Sequence, residues 1–376
     1  MTTVTVDKLA LAKAAKLLTD TAAHAQPRGV QKLEIVQVVV RDGQLALIDW
    51  RSDSRVQVWI RVQGASVDGS VPLHRDQIKE LVAKATSTVD VPLIAGAEPS
   101  KLSQPGDLHA GADISIGFAS VDAFRSAIAQ TAPSAQDGRS DLGLTNVEIV
   151  WDEEAITMTA GNRYHMSTAT VAGAGGERRR MTINAKQLLR ASKLFSMLPE
   201  KNGTVQFSQR GNSLVATVDG STSNVIARAE YLMELGDGKY PDYRSLFDPA
   251  VPPTMVARVQ IRALVEAMLI ASAGPYAGEY VEIEACSGSL IMPSVMLEIR
   301  RSHGISGTDV STAKCLATIE GARLKFIVNA DYFRHAISTV DTDISPTCTI
   351  RVWDSQIWGM IKLSAGTSHH IIALKV

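Results

Sequence analysis

Cysteine is scarce: Cys286, Cys315 and Cys348 are the only three in 376 residues, an odd number, widely spaced and in no CxxC arrangement. That pattern excludes a disulfide scaffold and reads as buried, reduced thiols. Long apolar runs are lacking too. No stretch approaches the roughly 18 uninterrupted apolar residues of a membrane span, and the opening MTTVTVDKLALAK has no basic region leading into an apolar run and a cleavage site. A soluble, cytoplasmic protein is expected. Catalytic signatures are also missing: there is no Walker loop, GxSxG, HExxH or phosphate-binding glycine fingerprint. His369 and His370 are adjacent, so on a strand they point to opposite faces and make poor joint metal ligands. Asp152, Glu153 and Glu154 fall between two strands and read as a solvated turn. No catalytic residue, metal or cofactor is assigned. The net charge of only −1 excludes a wholly basic binder, although an average can hide segregation.

With 45% hydrophobic residues over 376 positions, the chain has material for two or three cores. Short alternating stretches such as LEIVQVVV, RVQVWIRV, VEIVW and VEIEA make a strand-rich background. Six helical segments stand out against it, beginning near Asp7, His74, Val121, Asn184, Ile261 and Asn329. The second of each pair follows a similar lead, SVPLHRDQIKEL, MTINAKQLL and KFIVNADYF, with Asn184 and Asn329 as N-caps. The spacing from first to second helix is also similar in each pair, which points to three copies of one α+β domain. Punctuation at 104–113 and 247–254 suggests domains at 1–113, 114–250 and 251–376, while the Gly-rich segments near Gly173 and Arg300 read as loops inside domains.

Charge is segregated onto the helices. Over the six segments there are twelve Lys and Arg against five acids, a net +7, so the rest of the chain must be strongly acidic. Lys186, Arg190 and Lys193 recur at i, i+4 and i+7, opposite an apolar face of Leu188, Ala191, Phe195 and Leu198. Lys13 with Lys16, and Arg75 with Lys79, repeat the pattern. Cationic helices without stacking aromatics or a base-reading helix suit duplex binding that ignores sequence and weakens with salt.

Several segments resemble the beta subunit of bacterial DNA polymerase III, the DNA sliding clamp. DGKYPDYRSLF (237–247) is similar to that family's F-P-D-Y-R signature ahead of its third domain. ITMTAGNRYHMS (156–167) resembles its T-A-T-D-G-H-R-L-A element, FIVNADYFRHAI a third-domain segment, and SHHIIALKV the closing strand. The resemblance implies three similar domains per chain, each with two helices packed on antiparallel sheets. Two chains would close head to tail into a homodimeric ring, helices inside, in the nucleoid. It implies double-stranded DNA as one partner. The DNA polymerase catalytic subunit and the clamp loader would be others, held by short peptides. The chain would then be a processivity subunit and not an enzyme.

Carried over by position, the peptide pocket would comprise Leu142, Thr159, Gly161, Asn162, Arg163, Tyr164, Pro241, Ser245 and Leu246, with His370, Ile371, Ile372, Ala373 and Leu374 from the last strand. The loop AQDGRSDL would bring Gln136 and Arg139 to the duplex, joined by Arg28. Ile270 is expected at the dimer interface or, equally, in the core. Departures from the family pattern, Ala160-Gly161-Asn162, Ser245 and Ile372-Ala373-Leu374, imply a divergent clamp with altered peptide preference. A monomeric peptide-binding scaffold and a metal-dependent hydrolase stay open as alternatives from other classes.

Overall fold

The structure, a computed structural model, describes residues 2–24, 35–50, 54–63, 67–97, 114–136, 143–196, 203–222, 225–236, 240–247, 249–273, 279–287, 295–303, 309–339, 345–354 and 359–374. The first third contains β1 (Thr2–Asp7), α1 (Lys8–His24), β2 (Ile35–Arg41), β3 (Gln44–Trp50), β4 (Ser54–Gln63), β5 (Gly69–His74), α2 (Arg75–Lys84) and β6 (Thr88–Ala95). The second contains β7 (Ile114–Ser120), α3 (Val121–Thr131), β8 (Asn146–Trp151), β9 (Ala155–Gly161), β10 (His165–Gly175), β11 (Arg179–Asn184), α4 (Ala185–Ser196), β12 (Thr204–Arg210), β13 (Ser213–Thr222) and β14 (Val225–Glu234). A linker carrying the one-turn helix α5 (Arg244–Phe247) leads into the last. That part holds β15 (Met255–Gln260), α6 (Ile261–Ala271), β16 (Tyr280–Ser287), β17 (Val295–His303), β18 (Asp309–Gly321), β19 (Lys325–Asn329), α7 (Ala330–Ser338), β20 (Thr347–Asp354), β21 (Gly359–Ala365) and β22 (Ser368–Ala373).

Helix starts follow local chemistry. Asp7 Oδ1 accepts the Ala10 amide at 2.8 Å, Asn184 Oδ1 accepts Lys186 at 3.0 Å, and Asn329 Oδ1 accepts Asp331 and Tyr332. His74 and Gln77 form a reciprocal capping pair at α2, so donors that a helix start leaves unsatisfied find side-chain partners. One sequence expectation fails here. The Gly-rich stretch near Gly173 is strand up to Gly175, because Gly173 to Gly175 pair with Ala119 to Gly117 of β7. The segment near Arg300 is likewise strand up to His303.

Pairing repeats as faithfully as order. The strand before the first helix of each third pairs with the third strand after that helix and with the strand after the second helix: β1 with β4 and β6, β7 with β10 and β12, β15 with β18 and β20. All of these pairings are antiparallel. The thirds are joined in one recurring way. β4 pairs with β14, from Val225 opposite Ile60 to Tyr231 opposite Ser54, and β10 pairs with β22, from His165 opposite Ile372 to Ala169 opposite Ser368. Thus the third strand after the first helix of one repeat takes up the last strand of the next.

The helices follow the same logic. α1 packs on α2 and on α4, α3 on α4, and α6 on α7. α7 reaches α3 through His335 Nε2, 3.1 Å from the Gln130 carbonyl. The six long helices therefore run in one row, α2, α1, α4, α3, α7, α6, with their apolar stripes on the sheets. On α4 the buried stripe is Leu188, Ala191 and Phe195, as the periodicity requires. Among the described residues, no helix is long and apolar enough to cross a membrane.

Candidate nucleic-acid interface and peptide pocket

The cationic residues divide into solvent-facing and inward-held ones. Lys13 and Lys16 on α1, Lys79 on α2 and Lys186 and Lys193 on α4 are exposed, and Arg190 is half-buried beside them. Arg75 is held inside instead: its guanidinium donates to buried Asp49 at 2.8 Å and to the Leu18 carbonyl at 3.3 Å. It ties α2 to β3 and to the end of α1. Lys79 shares its charge with Asp76 at 3.1 Å. The surface charge of the row thus lies mainly on α1 and α4, which touch. Gln136, half-buried, follows the 3-10 turn after α3, its amide donating to Leu144. Arg139 and Arg28 lie outside the described residues, as does Leu142 of the pocket.

The remaining pocket residues gather where β9, β10, β22 and the linker meet. Asn162 Oδ1 accepts the amides of Tyr164 and His165 at 2.8 Å each, closing the turn between β9 and β10. That turn presents Arg163 and Tyr164, the latter 61% exposed, and the Tyr164 carbonyl accepts the Ala373 amide at 2.9 Å. Pro241 is partly exposed, Ser245 is exposed and Leu246 is 45% exposed on the linker, while Ala373 and Leu374 are half-buried. Gly161 lacks a Cβ where Met166 would meet one at about 3.0 Å, so the glycine makes room for a neighbouring side chain.

Three assignments need correction. His370 and Ile372 are fully buried, on the face of β22 turned toward the helices, and cannot wall an open pocket. The period of a strand explains it: with the alternation fixed by pairing to β10, residues 370 and 372 share the inner face. Ile371, on the outer face, is also covered, packing with Met166, Tyr240, Tyr243, Trp353 and Met360 beneath the linker. The accessible rim is therefore Tyr164, Leu246, Ala373 and Leu374.

The linker is clamped by the PDYR segment. Tyr243 Oη donates to buried Glu148 of β8, and the same carboxylate accepts Arg180 of β11. Burial and the Glu148 carboxylate push the Tyr243 phenol above its ordinary value, so it stays a donor. Lys362 donates to the Phe247 carbonyl, and Trp353 Nε1 donates to Val251 at 2.8 Å.

A histidine cluster that the sequence analysis did not identify lies at the junction of the second and third repeats. His165 of β10 stacks on His370 of β22, with ring centroids 5.6 Å apart, and on Tyr332 of α7 at 5.1 Å; His335 sits edge-on to both histidines. Burial, reinforced by His335, holds His165 down to about 3. His335 and His370 are lowered as well, in each case first by burial. Three neutral imidazoles fill this seam. Only their separation in sequence, at 165, 335 and 370, concealed them.

No family model matches this sequence, and no curated protein matches it. The fold does have counterparts among solved structures. A DNA polymerase sliding clamp from Pseudomonas aeruginosa superposes with a TM-score of 0.75 at 14% identity over 100% of both chains. One from Bacillus subtilis gives 0.72 at 15%, covering 100% of this chain and 99% of the other. A DNA polymerase III beta subunit from Thermotoga maritima gives 0.68 at 15% with the same coverage. The chain has the sliding-clamp fold. In this clamp fold the exposed α6 residues Leu269 (60%) and Ile270 (52%) remain uncovered, so Ile270 is not a core residue.

Proposed function

We propose that the chain is a DNA sliding clamp, two copies of which close head to tail around duplex DNA and tether a polymerase and other replication proteins through short peptides. The observation that carries this reading is the contiguous row of six helices. Its members carry a net positive charge in a nearly neutral chain, and Lys13, Lys16, Lys186 and Lys193 project from adjoining members of the row. Amines spread along such a wall meet phosphates without reading bases.

Ring closure is supported by the repeat of the junctions. β4 and β10 each have their outer edge filled by the last strand of the next repeat. β18, their equivalent, pairs with β17 over Asp309 to Leu316, and no described strand fills its other edge there. A second copy would supply that strand, and repeating the contact in the opposite sense gives a closed ring. The rim of Tyr164, Leu246, Ala373 and Leu374 supports a site for aliphatic or aromatic anchors of a linear peptide.

Loading onto nicked circular DNA tests the reading. A ring of twice 40.3 kDa by native mass spectrometry that stays on circles and runs off once they are linearised is expected. A monomer at micromolar concentration, or equal loss from circles and linear DNA, would overturn it and favour the monomeric scaffold.

A further inference from the structure

The two junctions within the chain are built alike but filled differently. A single apolar core runs unbroken from the first repeat into the second, whereas the third repeat has a core of its own. The pairing registers show where the break falls. Across β4 and β14 the inward pair of Val56 and Ala229 is apolar and buried, while across β10 and β22 the inward pairs are Ser167 with His370 and Ala169 with Ser368. Polar groups thus stand at the second junction where apolar ones stand at the first. They also tie the repeats together: Ser368 Oγ donates to Gln130 Oε1 of α3, and His165 Nε2 lies 3.4 Å from His370 Nδ1. The Nε2 of His370, fully buried, has no hydrogen-bond partner among the described residues.

This seam holds no countercharge for a protonated ring. β10 brings His165, β22 brings His370 and the neighbouring His369, α7 brings Tyr332 and His335, and α3 brings Gln130. β9 and β21 add buried Ala160 and Leu363, opposite Ser167 and His370. None is a carboxylate. The ionised groups of α7, Asp331 and Arg334, are exposed and pair with each other at 2.6 Å, and those of α3, Asp122 and Arg125, pair at 3.5 Å. An imidazolium buried here would lack a partner, so protons enter only when the strands part.

We propose that the second junction is a proton-triggered hinge, at which β10 and β22 part on acidification while β4 and β14 stay joined. Each imidazole released to water takes up a proton below its ordinary 6.5, so three of them raise the opening constant by up to about a thousandfold per pH unit. The peptide rim straddles the same strands, since the Tyr164 carbonyl holds the Ala373 amide, and its halves separate with the hinge. That consequence rests on the clamp reading; the hinge itself does not.

Hydrogen exchange of the full-length protein, with rates corrected for the intrinsic effect of pH, reads both junctions in one sample. Between pH 6.5 and 5.5, protection of amides bonded across β10 and β22 should fall by more than about a hundredfold, and across β4 and β14 by less than about threefold. His165→Phe with His370→Leu leaves one imidazole and should limit the first fall to less than about tenfold. Should that variant not fold, the comparison of the two junctions still decides. Equal losses at both would mean that the histidines govern only global unfolding, and would overturn the hinge. So would unchanged protection at both, or a hundredfold fall that persists in the double variant.

Discussion

Two buried polar sites decide behaviour at the scale of single residues. The first is the histidine seam. His165, His335 and His370 all titrate below the ordinary 6.5. Around them stand Tyr332, the Gln130 carbonyl and, for His370, the neighbouring His369; none offers a negative charge. Above pH 6.5 folded and unfolded chains are both neutral here, and the seam contributes its full stability. Below it the unfolded chain takes up protons that the folded chain refuses, so stability is lost as pH falls, down to about 3 for His165. Between pH 6.5 and 5 the loss should be on the order of 2 kcal/mol for each histidine that must charge. Melting curves across that range check it. His165→Phe, which keeps the stack on Tyr332, should flatten the dependence, and a melting temperature indifferent to pH would refute the account. The second site is Glu148, shared by Tyr243 and Arg180. Tyr243→Phe removes a donor from a buried carboxylate and should cost about 1–3 kcal/mol in urea unfolding. Peptide binding should weaken with it, because the linker loses its anchor beside the rim.

At the scale of elements, α4 is where the sequence was most legible. Its amphipathic period needed only neighbouring residues, and Leu188, Ala191 and Phe195 are buried opposite Lys186 and Lys193. The other five long helices were visible for the same reason, since a helix is specified by its own residues and its cap. Strand faces were less legible. Whether His370 or Ile371 looks inward depends on registry with β10, more than 200 positions earlier, and a shift of one reverses every side chain. Arg75 misled in another way: its spacing put it on a cationic stripe, but its partner Asp49 comes from β3, a contact no local pattern reveals. The charge stripe itself yields a direct expectation. Lys186→Glu, Arg190→Glu and Lys193→Glu together replace attraction by repulsion along one wall, so retention on circular DNA should fall by more than tenfold at 100 mM salt. The salt dependence should also flatten as counterion-releasing contacts are lost. An unchanged half-life on circles would remove α4 from the inner wall. The same change made at Arg258, outside the helix row and paired with Glu320 on the sheet surface, should have little effect.

For the whole molecule, the repeat makes the open end of the third unit as informative as its filled junctions. At the first junction α1 meets α4 beside β4 and β14; at the second α3 meets α7 beside β10 and β22. Continuing the series, α6 should meet α2 of a second copy beside β18. Leu269 and Ile270 on α6, and Val310 and Leu316 on β18, at 56% and 62% exposure, are apolar groups left uncovered there. An edge strand with unpaired amides and carbonyls is a liability unless something completes it, which favours closure over a free monomer. Burying Leu269 and Ile270 should contribute about 4 kcal/mol at each of the ring's two contacts. Leu269→Lys with Ile270→Lys therefore weakens dimerisation by at least about a thousandfold, the loss at a single contact. Sedimentation at micromolar concentration should find the variant as a 40.3 kDa monomer, still folded, because neither side chain belongs to the third repeat's core. Retention on circles should disappear. A variant that stays dimeric would place the contact elsewhere than at the open edge of β18.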